Sequence, residues 1–283
     1  MNSGVRNRYS RDEGASLSLK QMIIFHRIHE KTPQLMKQTA LTLFFALGLL
    51  GFANTGSAAD GKALRIHMLS GSGEYKSDES LPKWAELLKE GGHTCTIANG
   101  VKEEEDIENL KNCDVLVVFS KRWKLDEEAL EHLKAVATTK PVIGIRTASH
   151  AFQTWLAFDN EVMGGTYSGH GGSGEVTVII EEENKDHPVL AGIEGWKRQG
   201  KVYDNPPVAS GKSGSPKGKF KEDNVVLMML NDKRNKPQPG TWVRENDNGQ
   251  RVFYTSMGYV HDFEDERFQR LLSNALAWCT SGK

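Results

Sequence analysis

The chain has 283 residues, 38% of them hydrophobic and 26% charged, with a formal net charge of −1. That length suits one medium-sized globular domain with some chain to spare, and the balanced charge offers no concentrated basic surface for a nucleic acid or another polyanion. No self-similar period is visible, which argues against a repeat architecture.

The spare chain is at the front. MKQTALTLFFALGLLGFANTGSAAD starts at Met36, carries Lys37 as its positive start and an apolar run from Ala40 to Ala53, and closes on Ser57, Ala58 and Ala59. This order of charge, apolar run and small residues reads as a signal peptide over 36–59. The implied mature domain is 60–283, exported to the periplasm or beyond. Residues 1–35 are polar, basic and patternless, and read as an over-extended start before Met36. The apolar run is shorter than the roughly 20 residues that cross a bilayer, so no membrane span is expected in the mature form. Cys95, Cys113 and Cys279 are an odd set with no C-x-x-C pair, so at most one internal disulfide can form, and they read as buried structural thiols.

From Ala63 the chain alternates. ALRIHML is a strand, and LPKWAELLKEGG a helix with Pro82 in its first turn and glycines at its end. HTCTIA is a second strand and IENLKNC a short helix. DVLVVF is a third strand, apolar throughout as strands covered on both faces are. A helix with Asp126 as N-cap follows, with Leu130, Leu133 and Ala137 on one face. PVIGI is the fourth strand, expected beside the third at the centre of the sheet. The pattern predicts an α/β fold with a doubly wound, mainly parallel, flavodoxin-like sheet. Beyond Phe158 the second half is more elaborate: EVTVIIE, NVVLMML, TWVRE and RVFYTSM are strand-like, PPVASGKSGSPKGKFKED reads as an exposed loop, and a helix from about Glu264 closes the chain.

In open parallel sheets ligands bind beyond the carboxyl ends of the strands. Those ends carry Glu74 in SGSGEY, Arg122 and Trp123 after the third strand, and Arg146, Ser149 and His150 after the fourth. SGSGEY lacks the glycine patterns of phosphate loops. Arg122 and Trp123 read either as a solvated charge with a packing aromatic, or as a fork and stacking platform for a sugar. Ser149 reads as a helix start rather than a nucleophile, because adjacent residues on a helix do not face each other and G-x-S-x-G is absent.

From about Ala63 to Trp278 the chain resembles the ThuA-like, or trehalose-utilisation, family, whose fold is similar to class I glutamine amidotransferases. GIRTASHAF, FDNEVMGGTYSGH, DHPVLAGI and TWVRENDNGQRVFYTSMGY carry the resemblance, in that order. In amidotransferases the turn after the fourth strand holds a cysteine nucleophile. Here that position is Arg146, which has no lone pair to offer, so glutaminase activity is not expected and a ligand-binding fork is. The resemblance implies a small carbohydrate ligand, a disaccharide or keto-sugar, that is either acted on or merely bound. The chain departs from the family at Gly200-Lys201-Val202-Tyr203, where many members place an Asp-Glu pair before the tyrosine, and at Gly258-Tyr259, where they carry Gly-His. Tyr203 and the nearby His261 are counted with Arg146, Glu74, Arg122 and Trp123 as substrate-binding candidates.

His150 and His170 are the catalytic candidates. A helix of about three turns from Ala148, followed by a return through the glycine-rich TYSGH segment, is expected to bring them to one cleft, with imidazoles within about 12 Å. His150, His170 and His261 leave open a divalent metal, although no compact ligand spacing supports one. No cofactor is certain from the sequence, and it does not fix the oligomeric state.

Overall fold

The computed structural model describes residues 62–209, 218–233, 236–246 and 248–282. The segment 36–59 read as a signal peptide, and the residues before it, lie outside the described residues. The chain from Lys62 onward forms one compact unit.

A nine-stranded sheet runs through that unit. Its strands are β1 (Arg65–Gly71), β2 (Thr94–Ala98), β3 (Val115–Ser120), β4 (Val142–Ile145), β6 (Gly174–Ile180), β7 (Trp196–Gly200), β11 (Val225–Asn231), β12 (Gln238–Glu245) and β13 (Arg251–Thr255), in the spatial order β2-β1-β3-β4-β13-β12-β11-β6-β7. Pairing from β2 to β13 is parallel, and from β13 to β7 antiparallel. Two short ribbons complete the strands: β5 (Gly169–His170) with β8 (Tyr203–Asp204), and β9 (Val208–Ala209) with β10 (Gly218–Lys219). The second ribbon gives part of the segment read as an exposed loop a paired backbone.

β3 and β4 are adjacent and buried at every position. Helices cover both faces, as their apolar runs require. On one face α1 (Ser77–Glu90) and α4 (Glu266–Thr280) pack through Leu81, Trp84, Phe268 and Leu272 against Met68, Val117 and Ile143. On the other, α2 (Glu104–Asn112) and α3 (Glu127–Ala137) pack through Leu110, Leu133 and Val136 against Leu116 and Val142. Asp126 caps α3 through a 2.9 Å bond accepted from the Ala129 amide.

Two expectations need correction. α1 begins four residues before Leu81, because the buried Ser77 hydroxyl accepts the Ser72 amide at 2.8 Å and ties the helix start to the loop after β1. No three-turn helix starts near Ala148. After a tight 3-10 turn, Arg146–His150, the chain makes a single parallel bridge with the segment after β3: the Trp123 amide donates to Ala151 O at 2.7 Å and the Gln153 amide to Trp123 O at 2.8 Å. The next turn is a short π-helical one, Asp159–Met163.

Candidate functional site

The carboxyl ends of β1, β3, β4 and β13 meet at one edge of the parallel half. β4 delivers Arg146 with φ of +48°, a left-handed conformation that costs a residue with a Cβ about 1–3 kcal/mol. The turn is held from below by Tyr254, whose hydroxyl donates to Arg146 O at 2.8 Å. From above it is held by the loop after β13. A Cβ on Gly258 would stand 2.7 Å from Ile145 Cγ2 and 3.3 Å from Arg146 Cβ, so only glycine lets that loop pass so close.

Arg146 does not project into solvent as a free ligand fork. It is wholly buried. Its guanidinium carbon lies 4.2 Å from the Tyr203 ring centre, 4.5 Å from Tyr75 and 4.6 Å from Tyr259. Its amino groups donate to Lys201 O at 3.2 Å, to Ser256 O, and to the Tyr75 and Tyr259 hydroxyls at 3.3 and 3.4 Å. The cation is thus balanced by three aromatic faces and two carbonyls. Arg146 is therefore part of the core, a correction to its reading as an open ligand fork: Tyr203 and Tyr259 both enclose it.

The tyrosine wall continues outward. His150 stacks on Tyr167 with ring centres 4.5 Å apart and lies 5.9 Å from Tyr203. His170 is paired with Tyr203 in the β5–β8 ribbon, and its ring stacks on that phenol at 6.1 Å. The two imidazole centres are therefore at most about 12 Å apart. His170 is exposed and His150 only half-buried.

Ser149 starts no helix. In the tight turn its Oγ comes within 3.1 Å of His150 Nδ1 and donates to Arg146 O at 3.4 Å. The argument that neighbours point apart fails here because a 3-10 turn is narrower than an α-helix. Burial, reinforced by the cations Arg122, Lys121 and Arg146, pulls the His150 pKa down to about 3, so the ring is neutral through the physiological range.

Glu74 is ion-paired with Lys121 and, at 3.4 Å, with Lys201. The hydrogen bond from Lys121 holds its carboxyl down at about 2. Arg122 is exposed with φ of +54°, and Trp123 is half-buried against Gly71. His261 stacks on Tyr259 at 5.3 Å, with its Nε2 3.0 Å from Gln199 O, so it stands at the outer rim. All eight sequence candidates thus lie on this edge or its rim. Sequence reasoning missed Tyr75, Tyr167, Lys201 and Asp159; the first two sit in the quoted SGSGEY and TYSGH stretches, where a tyrosine beside glycines was the available signal.

Inward of the wall, the hydroxyls of Ser72, Ser120, Thr147 and Ser256 and the Arg146 Nε are buried without hydrogen-bond partners. Among the described residues no group of three or more His, Cys, Asp or Glu side chains is arranged to hold a metal ion. Cys113 and Cys279 are buried, Cys95 partly so, and none of the three forms a disulfide among the described residues. Burial pushes the Cys95 and Cys113 thiols up to about 11, which leaves them poor nucleophiles.

The family model described as "ThuA: Trehalose utilisation" matches residues 65–279. The chain belongs to the ThuA family. None of the curated proteins matches it. Among solved structures, a ThuA-like protein from Bacteroides uniformis shares the ThuA fold, with a TM-score of 0.59 at 18% identity over 79% of this chain and 94% of that one. A β-galactosidase from Rahnella sp. R3 aligns with a TM-score of 0.49 at 11% identity over 77% of this chain and 31% of that chain. The glutaminase domain of Trypanosoma brucei CTPS aligns at 0.41 and 11% identity, over 76% and 94%. Likenesses at those two levels carry no functional argument. At the turn after β4 the ThuA fold of this chain carries a caged cation, Arg146. Among the described residues no helix is long and apolar enough to cross a membrane.

Proposed function

We propose that this ThuA-family protein is exported and takes a small carbohydrate, a disaccharide or keto-sugar, at the tyrosine-walled edge of its sheet, where His150 acts on it. The contact between Ser149 Oγ and His150 Nδ1 carries the reading, because it fixes one face of a neutral imidazole beside aromatic rings suited to a sugar's C–H face. A histidine with a pKa of about 3 is a poor general base at neutral pH. As a neutral ring it can instead donate a hydrogen bond and polarise a carbonyl oxygen, the role neutral imidazole takes in isomerases. A keto-sugar offers such an oxygen. Absence of glutaminase activity follows from the same reading, since Arg146 replaces the nucleophile and the thiols stand elsewhere.

The aromatic wall of Tyr75, Tyr167, Tyr203 and Tyr259 also favours a second reading, a sugar-binding module without turnover. One experiment separates them. The purified domain is screened by thermal shift against trehalose, sucrose and 3-ketoglucose, and each stabilising sugar is then incubated and followed by NMR. Stabilisation with product formation supports the enzyme, and stabilisation alone the module. No stabilisation by any of them overturns the carbohydrate reading. Metal analysis of the same preparation tests the divalent-metal alternative, and N-terminal sequencing of secreted material tests export, with Asp60 or a near neighbour expected first.

A further inference from the structure

Beside the tyrosine wall lies a cavity of about 400 Å³ whose lining includes Arg122, Ser149, His150, Phe152, Trp155 and Asp159. The segment from Ala151 to Leu156 contributes to its lining, as do Phe158 and Asp159 at the π-helical turn. Its apolar wall is rigid: Phe152 and Trp155 both meet Phe158 edge to face, at 4.9 and 5.1 Å between ring centres. Its volume falls within the range of small-molecule sites, which are mostly apolar with a few fixed polar groups.

Asp159 is the unexplained member. It is 4% exposed. Its Oδ2 accepts the Tyr167 amide at 2.8 Å, while Oδ1 has no hydrogen-bond partner. A buried carboxyl oxygen without a partner costs the fold free energy, so its place in a residue lining a cavity marks a functional candidate.

We propose that this cavity is the subsite for the ring of a neutral, hydroxylated ligand, with Phe152, Trp155 and Phe158 against its C–H face and Asp159, Ser149 and His150 as its hydrogen-bonding edge. The proposal rests on the carbohydrate reading above and locates it. Burial holds the Asp159 carboxyl up at about 7, so near neutrality a large part of it is the acid, a hydrogen-bond donor. His150 is neutral and supplies an acceptor or a donor according to its tautomer. An acid donor and a neutral imidazole lining one cavity suit a hydroxyl, which both gives and accepts, and a carbonyl, which accepts, with Arg122 as a further donor.

The test measures binding of trehalose, sucrose and 3-ketoglucose to four proteins: wild type, Trp155→Phe, Asp159→Leu and Leu156→Trp. Leu156 is 48% exposed on the cavity rim, so a larger ring there narrows the entrance without entering the core. Expected are a change in tryptophan emission on binding that Trp155→Phe loses, and affinity at least tenfold weaker in Leu156→Trp. Asp159→Leu should weaken binding by a similar factor. If Asp159→Leu does not fold, Leu156→Trp alone decides. Wild-type binding that survives unchanged in Leu156→Trp, with no contribution of Trp155 to the emission change, refutes the subsite and leaves the carbohydrate reading intact. No binding of any of the three sugars by wild type refutes both.

Discussion

Replacing Arg146 with lysine keeps the charge and removes the fork. In the wild-type cage the guanidinium serves two carbonyls, of Lys201 and Ser256, and two phenol oxygens, and its plane lies against three rings. One ammonium group cannot reach both carbonyls, so at least one buried acceptor loses its partner, at about 1–3 kcal/mol. Poorer packing on the rings adds roughly 0.5–1 kcal/mol. Arg146→Lys is therefore expected to destabilise the domain by about 2–4 kcal/mol. For a domain of this size each kcal/mol moves Tm by about 2–4 °C. Thermal melts and urea titrations of wild type and variant, with the urea m-value as a check on two-state behaviour, read the effect directly. A Tm within about 2 °C of wild type would show that the guanidinium carries no part of the fold, and that Arg146 is a ligand fork as the sequence alone suggests.

Asp159→Asn keeps the acceptor for the Tyr167 amide and removes a carboxyl held up at about 7. With a folded pKa above the unfolded one, the native contribution is present below about pH 4 and is lost as pH rises through about 7. The variant should thus gain roughly 2–4 kcal/mol more at pH 8 than at pH 4, and a pH-independent gain, measured by denaturant unfolding, would contradict this. His67 is buried with its pKa pulled down to about 4 by desolvation. Below about pH 6.5 the unfolded chain takes up a proton the folded one refuses, so stability should fall from pH 6.5 towards 4; His67→Gln should flatten part of that fall, and an unchanged pH curve would argue against it. A Cβ on Gly71 would lie 2.1 Å from Trp123 Nε1, so Gly71→Ala should displace the indole and cost about 1–3 kcal/mol, read as a lower Tm. Replacing all three cysteines with serine or alanine should lower stability at Cys113 and Cys279 while leaving any sugar turnover intact; lost turnover in a folded variant would contradict their structural role.

The parts of the fold that the sequence announces are those decided locally. Val115–Ser120 and Val142–Ile145 are apolar throughout and can only be central strands, and Asp126 before an apolar stripe marks a helix start. The segment after Ala148 departs from the helix its sequence suggests because its fate depends on Trp123, whose backbone captures it in a single bridge at Phe152. The place of β13 beside β4 was equally hidden, since a parallel pair joins residues far apart in the chain. The candidate residues were legible because strand ends are predictable. Their roles were not: an arginine at a ligand edge looks the same in sequence whether it faces solvent or three tyrosines.

The four groups that receive hydrogen bonds from Arg146 lie 55, 71, 110 and 113 positions away in the chain. The cage is therefore a record of folding order as well as of binding geometry. A chain growing from its amino end can assemble β1 to β4 with their helices, but until Arg251–Thr255 emerges β4 is an outer strand with an open row of N–H and C=O groups. Its sequence, VIGI, is the kind that pairs with any strand nearby. Completion of β13 closes that edge, and the loop behind it, through Ser256 and Tyr259, closes over the guanidinium. Fragments that stop short of Arg251 are thus expected to be aggregation-prone, and the crevice to form only in the last stage of folding.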